Sequence, residues 1–167
     1  MTAPAEFAPD KILTVLVRND VAFVVIGGLA AVAHGSNIPT EDVDITPEPS
    51  VDNLERLSAA LIELAAQVRF GDKALPFNHS GESLADAGVW NLRTCFGDLD
   101  ISMVPNGTGG YPDLVRDASD TAVLEVNVPV ASLADVIRSK QAANRPKDQR
   151  VLPVLRKILA SRYDERT

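Results

Sequence analysis

Hydrophobic positions recur along this chain with two periods, and the switches between them mark the predicted elements. Ile12, Leu13, Leu16 and Val17 fall at helical spacing, which predicts a helix from about Asp10 to Asn19 with these four side chains inward. Phe23 to Ile26 is a short apolar run read as a strand; it enters Gly27-Gly28 and then a helical stretch from Leu29 to His34. A second strand carries Asp42-Val43-Asp44-Ile45 and stops at Pro47 and Pro49. From Val51 to Gln67 a helix is predicted, with Leu54, Leu57, Leu61 and Leu64 on its stripe, followed by a strand at Val68 to Phe70. Pro76 to Gly88 is polar and predicts a loop. Two apolar runs then meet at Gly97-Asp98, which reads as a hairpin turn. Pro105 to Gly110 is a glycine-rich loop, suited either to closing over a ligand or to plain mobility. A short helix at Tyr111 to Ala118 and one or two strands in Thr121 to Val130 precede two C-terminal helices. The first starts at Ser132-Leu133-Ala134-Asp135, the Ser-X-X-acid form of a helix start. The second carries Val151, Leu152, Leu155, Ile158 and Leu159; Pro153 inside it means a kink or a start later than Asp148.

These elements make an α+β chain with a small mixed sheet flanked by helices. A single domain is expected over residues 1–167, with a sheet core to residue 130 and a helical section from 131, because 167 residues suffice for one core. With 46% hydrophobic but only 5% aromatic residues, that core is aliphatic. No apolar run reaches about 18 residues, so no membrane span is expected. Met1 to Pro9 has no basic residue ahead of an apolar segment, which argues against a secretory signal and for a cytoplasmic protein. The lone Cys95 permits no internal disulfide and is expected as a buried small hydrophobe in a strand. His34 and His79 are too few and too far apart for a metal cluster, and His34 is expected to end a helix.

The net charge of −7 is unevenly spread: residues 1–137 hold 7 basic and 20 acidic side chains, residues 138–167 hold 9 and 3. The basic set is Arg138, Lys140, Arg145, Lys147, Arg150, Arg156, Lys157, Arg162 and Arg166. It suits steering a triphosphate or an RNA backbone, or else merely complements helix C-termini and the acidic body. The overall acidity argues against tight nonspecific binding to duplex nucleic acid.

The candidate chemistry lies between Gly27 and Asp44. Residues i and i+2 of a strand share a face, so Asp42 and Asp44 stand side by side and repel unless a cation lies between them. Oxygen ligands of this kind suit Mg2+, commonly held by one or two carboxylates plus substrate phosphates. Gly27 and Gly28, at a strand-to-helix turn, let backbone approach a phosphate. The bland alternative is a glycine turn followed by two solvated aspartates. A third carboxylate comes from Asp100, flanked by Leu99 and Ile101 inside a strand; Asp98 is the competing choice but suits a turn. Lys140 extends the apolar stripe of its helix and Asp148 falls at the start of the next, so the two either pair or line a site.

Gly27-Gly28, a thirteen-residue spacer, Asp42-Val43-Asp44 and then Gly97-Asp98-Leu99-Asp100-Ile101 resemble, in order, the signature of the nucleotidyltransferase superfamily related to DNA polymerase beta. Ser139-Lys140-Gln141-Ala142-Ala143-Asn144-Arg145-Pro146-Lys147-Asp148 is similar to an element of the nucleotidyltransferase toxins of bacterial toxin–antitoxin and abortive-infection pairs. The resemblance spans Phe23 to Leu159. It implies the nucleotidyltransferase fold and transfer of an NMP group from an NTP to a hydroxyl. It also implies one or two Mg2+ ions on Asp42, Asp44 and Asp100, with Asp100 activating the acceptor. Gly27, Gly28, Lys140 and Arg145 would serve the nucleotide, and Asp148 would position Lys140 or the acceptor. For the toxin-like group it implies an RNA acceptor such as the tRNA 3′ end, or a protein hydroxyl, and a cognate antitoxin protein. Two positions depart from the common pattern: Gly28 replaces a frequent Ser, and Ile38 replaces an arginine suited to phosphate contact. The rivals are a small-molecule nucleotidyltransferase of the antibiotic-modifying kind and a noncatalytic nucleotide- or protein-binding member of the fold.

Overall fold

The computed structural model describes residues 6–165; Arg166 lies outside them, as do the first five residues of the Met1 to Pro9 segment read above for a secretory signal. Helix α1 (Pro9–Arg18) leads to β1 (Phe23–Ile26), α2 (Gly27–Ala33), β2 (Asp42–Pro47) and α3 (Val51–Glu63). Then come β3 (Gln67–Phe70), β4 (Lys73–Leu75), α4 (Gly81–Ala85), β5 (Val89–Thr94) and β6 (Gly97–Ser102). The chain continues through α5 (Tyr111–Asp117), β7 (Ser119–Val123), β8 (Val126–Val130), α6 (Leu133–Ala143) and α7 (Pro146–Glu165).

All eight strands join one mixed sheet in the order β4-β3-β5-β6-β2-β1-β8-β7. The β2–β6 and β1–β8 pairs are parallel and the others antiparallel. The period of two sorts each central strand into two faces. Val43, Ile45, Leu92, Leu99 and Ile101 are buried in the core, where Leu13, Leu16, Leu54, Leu57 and Leu61 meet them. Asp42, Asp44, Asp98 and Asp100 alternate with them on the other face. The parallel register sets Asp44 beside Asp100 and Asp42 beside Asp98. Two adjacent strands therefore deliver their acids to one patch.

Several expectations are corrected. The hairpin turn is Cys95-Phe96, closed by the Thr94–Gly97 pair, not Gly97-Asp98. Thr94 fixes it: its hydroxyl donates to the Gly97 carbonyl at 2.7 Å and accepts from the Phe96 N–H at 3.1 Å. Cys95 is consequently exposed on the turn, and Asp98 becomes a strand residue. Helix α3 stops short of Gln67 because Ala65 turns left-handed (φ 52°), with the Ala66 N–H closing on the Leu61 carbonyl. Within the expected loop 76–88 lies α4, a single turn whose Ser80 and Ser83 cap each other; only Leu84 gives it an apolar anchor. The short β4 was not anticipated. Val17 and Leu159 face outward, at 44% and 40% exposure, while Val15 is buried instead. Helix α7 starts at Pro146, ahead of Asp148, and runs on through Pro153, which stands on its exposed face. Among the described residues, no helix is long and apolar enough to cross a membrane.

Candidate functional site

Asp42, Asp44 and Asp100 each offer one carboxylate oxygen, and these atoms lie within 4.8 Å of one another. The half-buried setting raises the proton affinity of Asp44 and Asp100. Asp44 is pushed up to about 7, first by burial and then by the charges of Asp42 and Asp100. Asp100 is pushed up to about 6 by burial and by Asp42, against the opposing pull of Arg69. Three acids crowded at this cost, all oxygen donors, fit a hard divalent cation.

Gly27 and Gly28 are required by what lies opposite them. Gly27 has φ +66°, and a Cβ there would fall 2.2 Å from Asp44 Oδ2. A Cβ on Gly28 would fall 2.7 Å from the hydroxyl of Thr40. That hydroxyl donates to the Asp42 carbonyl at 3.2 Å and lies 3.3 Å from Oδ1 of the same residue, so the glycine pair leaves room for the group that orients Asp42.

A cavity of about 250 Å³ is lined by Lys140, Arg145 and Lys147 together with Gly27, Asp44 and Asp100; Asp42, of the same acid cluster, lies outside the lining. Lys140 lies in the last turn of α6 and Asp148 in the first turn of α7, and the chain between them turns left-handed at Asn144 (φ 51°). This brings Lys140 Nζ to 3.6 Å from Asp148 Oδ1. Asp148 has no exposed surface, and Arg145 satisfies it with its backbone N–H at 3.0 Å, Nε at 2.7 Å and Nη2 at 3.2 Å. Burial works against the Asp148 charge, but these hydrogen bonds and the neighbouring cations hold its carboxyl below the usual range. Burial lowers the Lys140 ammonium, while Asp148 and Asp44 oppose that drop. Pairing and site-lining thus combine: Lys140 lines the cavity, while Asp148 and Gly28 lie outside its wall.

No protein-family model and no curated protein matches the chain. Among solved structures it is similar to the lincosamide antibiotic adenylyltransferase LnuA in its lincomycin-bound form, at 16% identity and a TM-score of 0.61, over 90% of this chain and 95% of that one. It is similar also to ANT(2'')-Ia in complex with adenylyl-2''-tobramycin, at 16% identity and a TM-score of 0.53, over 93% of this chain and 96% of that one. The chain has the nucleotidyltransferase fold.

Within this fold the sequence reasoning missed two cations. Lys147 was noted for its charge and as part of the Ser139-to-Asp148 element but given no role of its own, yet it lines the cavity and lies near enough to Asp44 to stabilise its carboxylate. Arg69, on β3, bonds Asp100 at 3.0 Å and stands 3.4 Å from Asp98. No local pattern marks Arg69; only the pairing of β3 with β5 brings it near. Asp98 stands outside the three-acid cluster and is met by Arg69 and, at 3.8 Å, by Arg93. The loop at 105–110 is tied down: Gly109 N–H donates to Asp113 at 2.8 Å, and Arg138 bonds Asp113 and Asp135. Ile38 is exposed. His34 ends α2 and holds the Ala131 carbonyl and Arg162; His79 bonds the hydroxyl of Ser58.

Proposed function

We propose that the protein is a Mg2+-dependent nucleotidyltransferase that moves an NMP group from an NTP to a hydroxyl and releases pyrophosphate. The three-acid cluster, with Asp44 and Asp100 lining the same cavity as Lys140, carries the proposal. Asp42, Asp44 and Asp100 would hold one or two Mg2+ ions. Bound there, Mg2+ supplies positive charge that neutralises the triphosphate and favours in-line displacement. Gly27 and Gly28 leave space for phosphate beside Asp44. Lys140, paired with Asp148, meets phosphate oxygens, and Arg145 and Lys147 add cations in the same cavity. Asp100 accepts the proton of the acceptor hydroxyl as that oxygen bonds to the α-phosphorus. The bond from the α-phosphorus to the bridging oxygen breaks, and pyrophosphate carries that electron pair away.

For the acceptor, the reading is RNA, such as a tRNA 3′ end, or a protein hydroxyl, with a cognate antitoxin restraining the enzyme in the cytoplasm, where NTPs are held. Support comes from the Ser139-to-Asp148 element and from the exposed Arg150, Arg156 and Lys157, which continue along α7 from Lys147 at the cavity wall. A small-molecule acceptor is the second reading, favoured by the fold shared with LnuA and ANT(2'')-Ia, whose structures hold lincomycin and adenylyl-2''-tobramycin. A noncatalytic role fits poorly with three acids kept together at an electrostatic cost.

The test is transfer from each α-labelled NTP, with Mg2+, to total tRNA, to protein, and to a panel of small hydroxyl compounds, with Asp44→Ala alongside. Label on RNA or protein from the unaltered chain alone supports the first reading, and label on a small compound the second. ATP binding without transfer supports the noncatalytic role.

A further inference from the structure

Asp100 does not stand in the acid cluster unaided. Arg69 projects from β3 across β5 to β6, and its guanidinium is held by three acceptors. Nη1 donates to the Leu92 carbonyl at 3.0 Å and lies 3.4 Å from Asp98 Oδ2, while Nη2 donates to Asp100 Oδ1 at 3.0 Å. The strand registers make this reach possible: Val68 pairs with Leu92, Asn91 with Asp100 and Arg93 with Asp98. With its side chain only 21% exposed and both Nη atoms engaged, Arg69 is not free to grip a ligand. Its planar fork fits the two acids and the carbonyl together, which a lysine ammonium cannot reproduce. Arg69 opposes the repulsion that Asp42 exerts on Asp100.

We propose that Arg69 is a positioning residue that, braced by Asp98 and the Leu92 carbonyl, aims Asp100 at the Asp42–Asp44 pair and so completes the metal-binding set. This rests on the reading of those three acids as a metal site. It also gives Asp98 a role: it anchors the arginine instead of the metal. Partners behind the ligands of a metal site commonly matter nearly as much as the ligands.

The experiment is a Mn2+ titration followed by electron paramagnetic resonance, with no nucleotide present, on the unaltered chain, Arg69→Met, Asp100→Asn and the double variant. Arg69→Lys and Asp98→Asn are run beside them, and melting curves report folding. Arg69→Met is expected to weaken Mn2+ binding about tenfold. In the Asp100→Asn background the same change is expected to alter affinity by less than about twofold, because its effect passes through Asp100. Arg69→Lys should recover part of the loss and Asp98→Asn should show a smaller loss; these two carry the test if Arg69→Met fails to fold. An equal loss in both backgrounds overturns the proposal, since Arg69 would then act elsewhere. Unchanged or tighter Mn2+ binding in Arg69→Met overturns it too. An unaltered chain that binds no Mn2+ defeats the metal reading itself, and the proposal with it.

Discussion

Gly27 and Asp44 share a space that admits only one side chain: a Cβ on Gly27 would sit 2.2 Å from Asp44 Oδ2. Ile26 pairs with Asp44 across the β1–β2 ladder, so the glycine directly after the strand cannot move away from the acid without breaking that ladder. The close approach brings backbone beside a carboxylate in the lining of the cavity, where a phosphate and a cation would both be received.

Gly27→Ala is therefore expected to displace Asp44 and not merely to strain the backbone. Gly71 provides the control, with nearly the same φ (+63° against +66°) but nothing within 4 Å of its would-be Cβ. Gly71→Ala should lose about 1–2 kcal/mol, the ordinary cost of a left-handed residue. Gly27→Ala should lose more and should also weaken Mn2+ binding about tenfold. Urea unfolding and Mn2+ titration of the two variants check this; equal stability losses with intact Mn2+ binding at Gly27→Ala would refute it.

The acid cluster sets a pH dependence. Asp44 and Asp100 have folded values near 7 and 6, above the ordinary 3.8. The folded metal-free protein thus holds protons that the unfolded chain has released. Stability from these groups is full below about pH 4 and is lost as pH rises through 6 and 7. The Asp44 shift alone corresponds to on the order of 4 kcal/mol. In EDTA, the unaltered chain should lose stability between pH 5 and pH 8, and Asp44→Asn should lose distinctly less. Added Mg2+ should restore stability at pH 8 to the unaltered chain but not to the variant. Urea midpoints of both proteins in EDTA at pH 5 and at pH 8, and with Mg2+ at pH 8, decide it.

The parts of this site that were legible in the sequence are those set by local spacing. Asp42 and Asp44 share a face because a strand has period two, and Asp100 announced itself as an acid between apolar neighbours. Lys140 and Asp148 stood out because helical spacing put both on core-facing stripes. Arg69 was invisible because its meaning depends on β3 docking beside β5, a pairing between segments far apart in the chain. The exposure of Cys95 was missed because the hairpin turns two residues earlier than the glycine suggested, and such a shift is decided by the hydroxyl of Thr94. Helix α4 was hidden by its polar composition.

The two ends of the Lys140–Asp148 pair should behave differently when removed. Lys140→Met keeps the apolar stem and removes a charge that burial already disfavours, and Asp148 retains Arg145. Stability should stay within about 1 kcal/mol, while ATP binding weakens about tenfold through loss of a phosphate contact. Asp148→Asn leaves Lys140 and Arg145 without their shared anion and should cost about 3 kcal/mol as well as weakening ATP. Calorimetric ATP titration beside urea unfolding separates the two. A Lys140→Met variant as unstable as Asp148→Asn would mean that the pair serves the fold alone.

His34 should give the opposite pH trend to the acids. Its Nε2 lies 2.7 Å from the Ala131 carbonyl and its Nδ1 lies 3.1 Å from Arg162 Nη1, so the neutral ring donates at one nitrogen and accepts at the other. Protonation would place a second N–H against the guanidinium. Burial, above all, lowers the His34 value, with the Arg162 charge adding to it against the Ala131 hydrogen bond. A histidine with a lowered folded value contributes stability that is present above the unfolded value of 6.5 and is lost as pH falls through the folded one. His34→Gln cannot be protonated, so the variant should be less stable than the unaltered chain at pH 7.5 and the gap should narrow toward pH 5. Because Arg162 also donates to the His34 carbonyl at 3.0 Å, part of the α2–α7 tie survives the substitution and the variant is expected to fold. Urea unfolding of both proteins at half-unit pH steps, with EDTA throughout to keep the acid cluster metal-free, measures the gap; one that stays constant from pH 7.5 to pH 5 would show that the imidazole charge does not govern this contact.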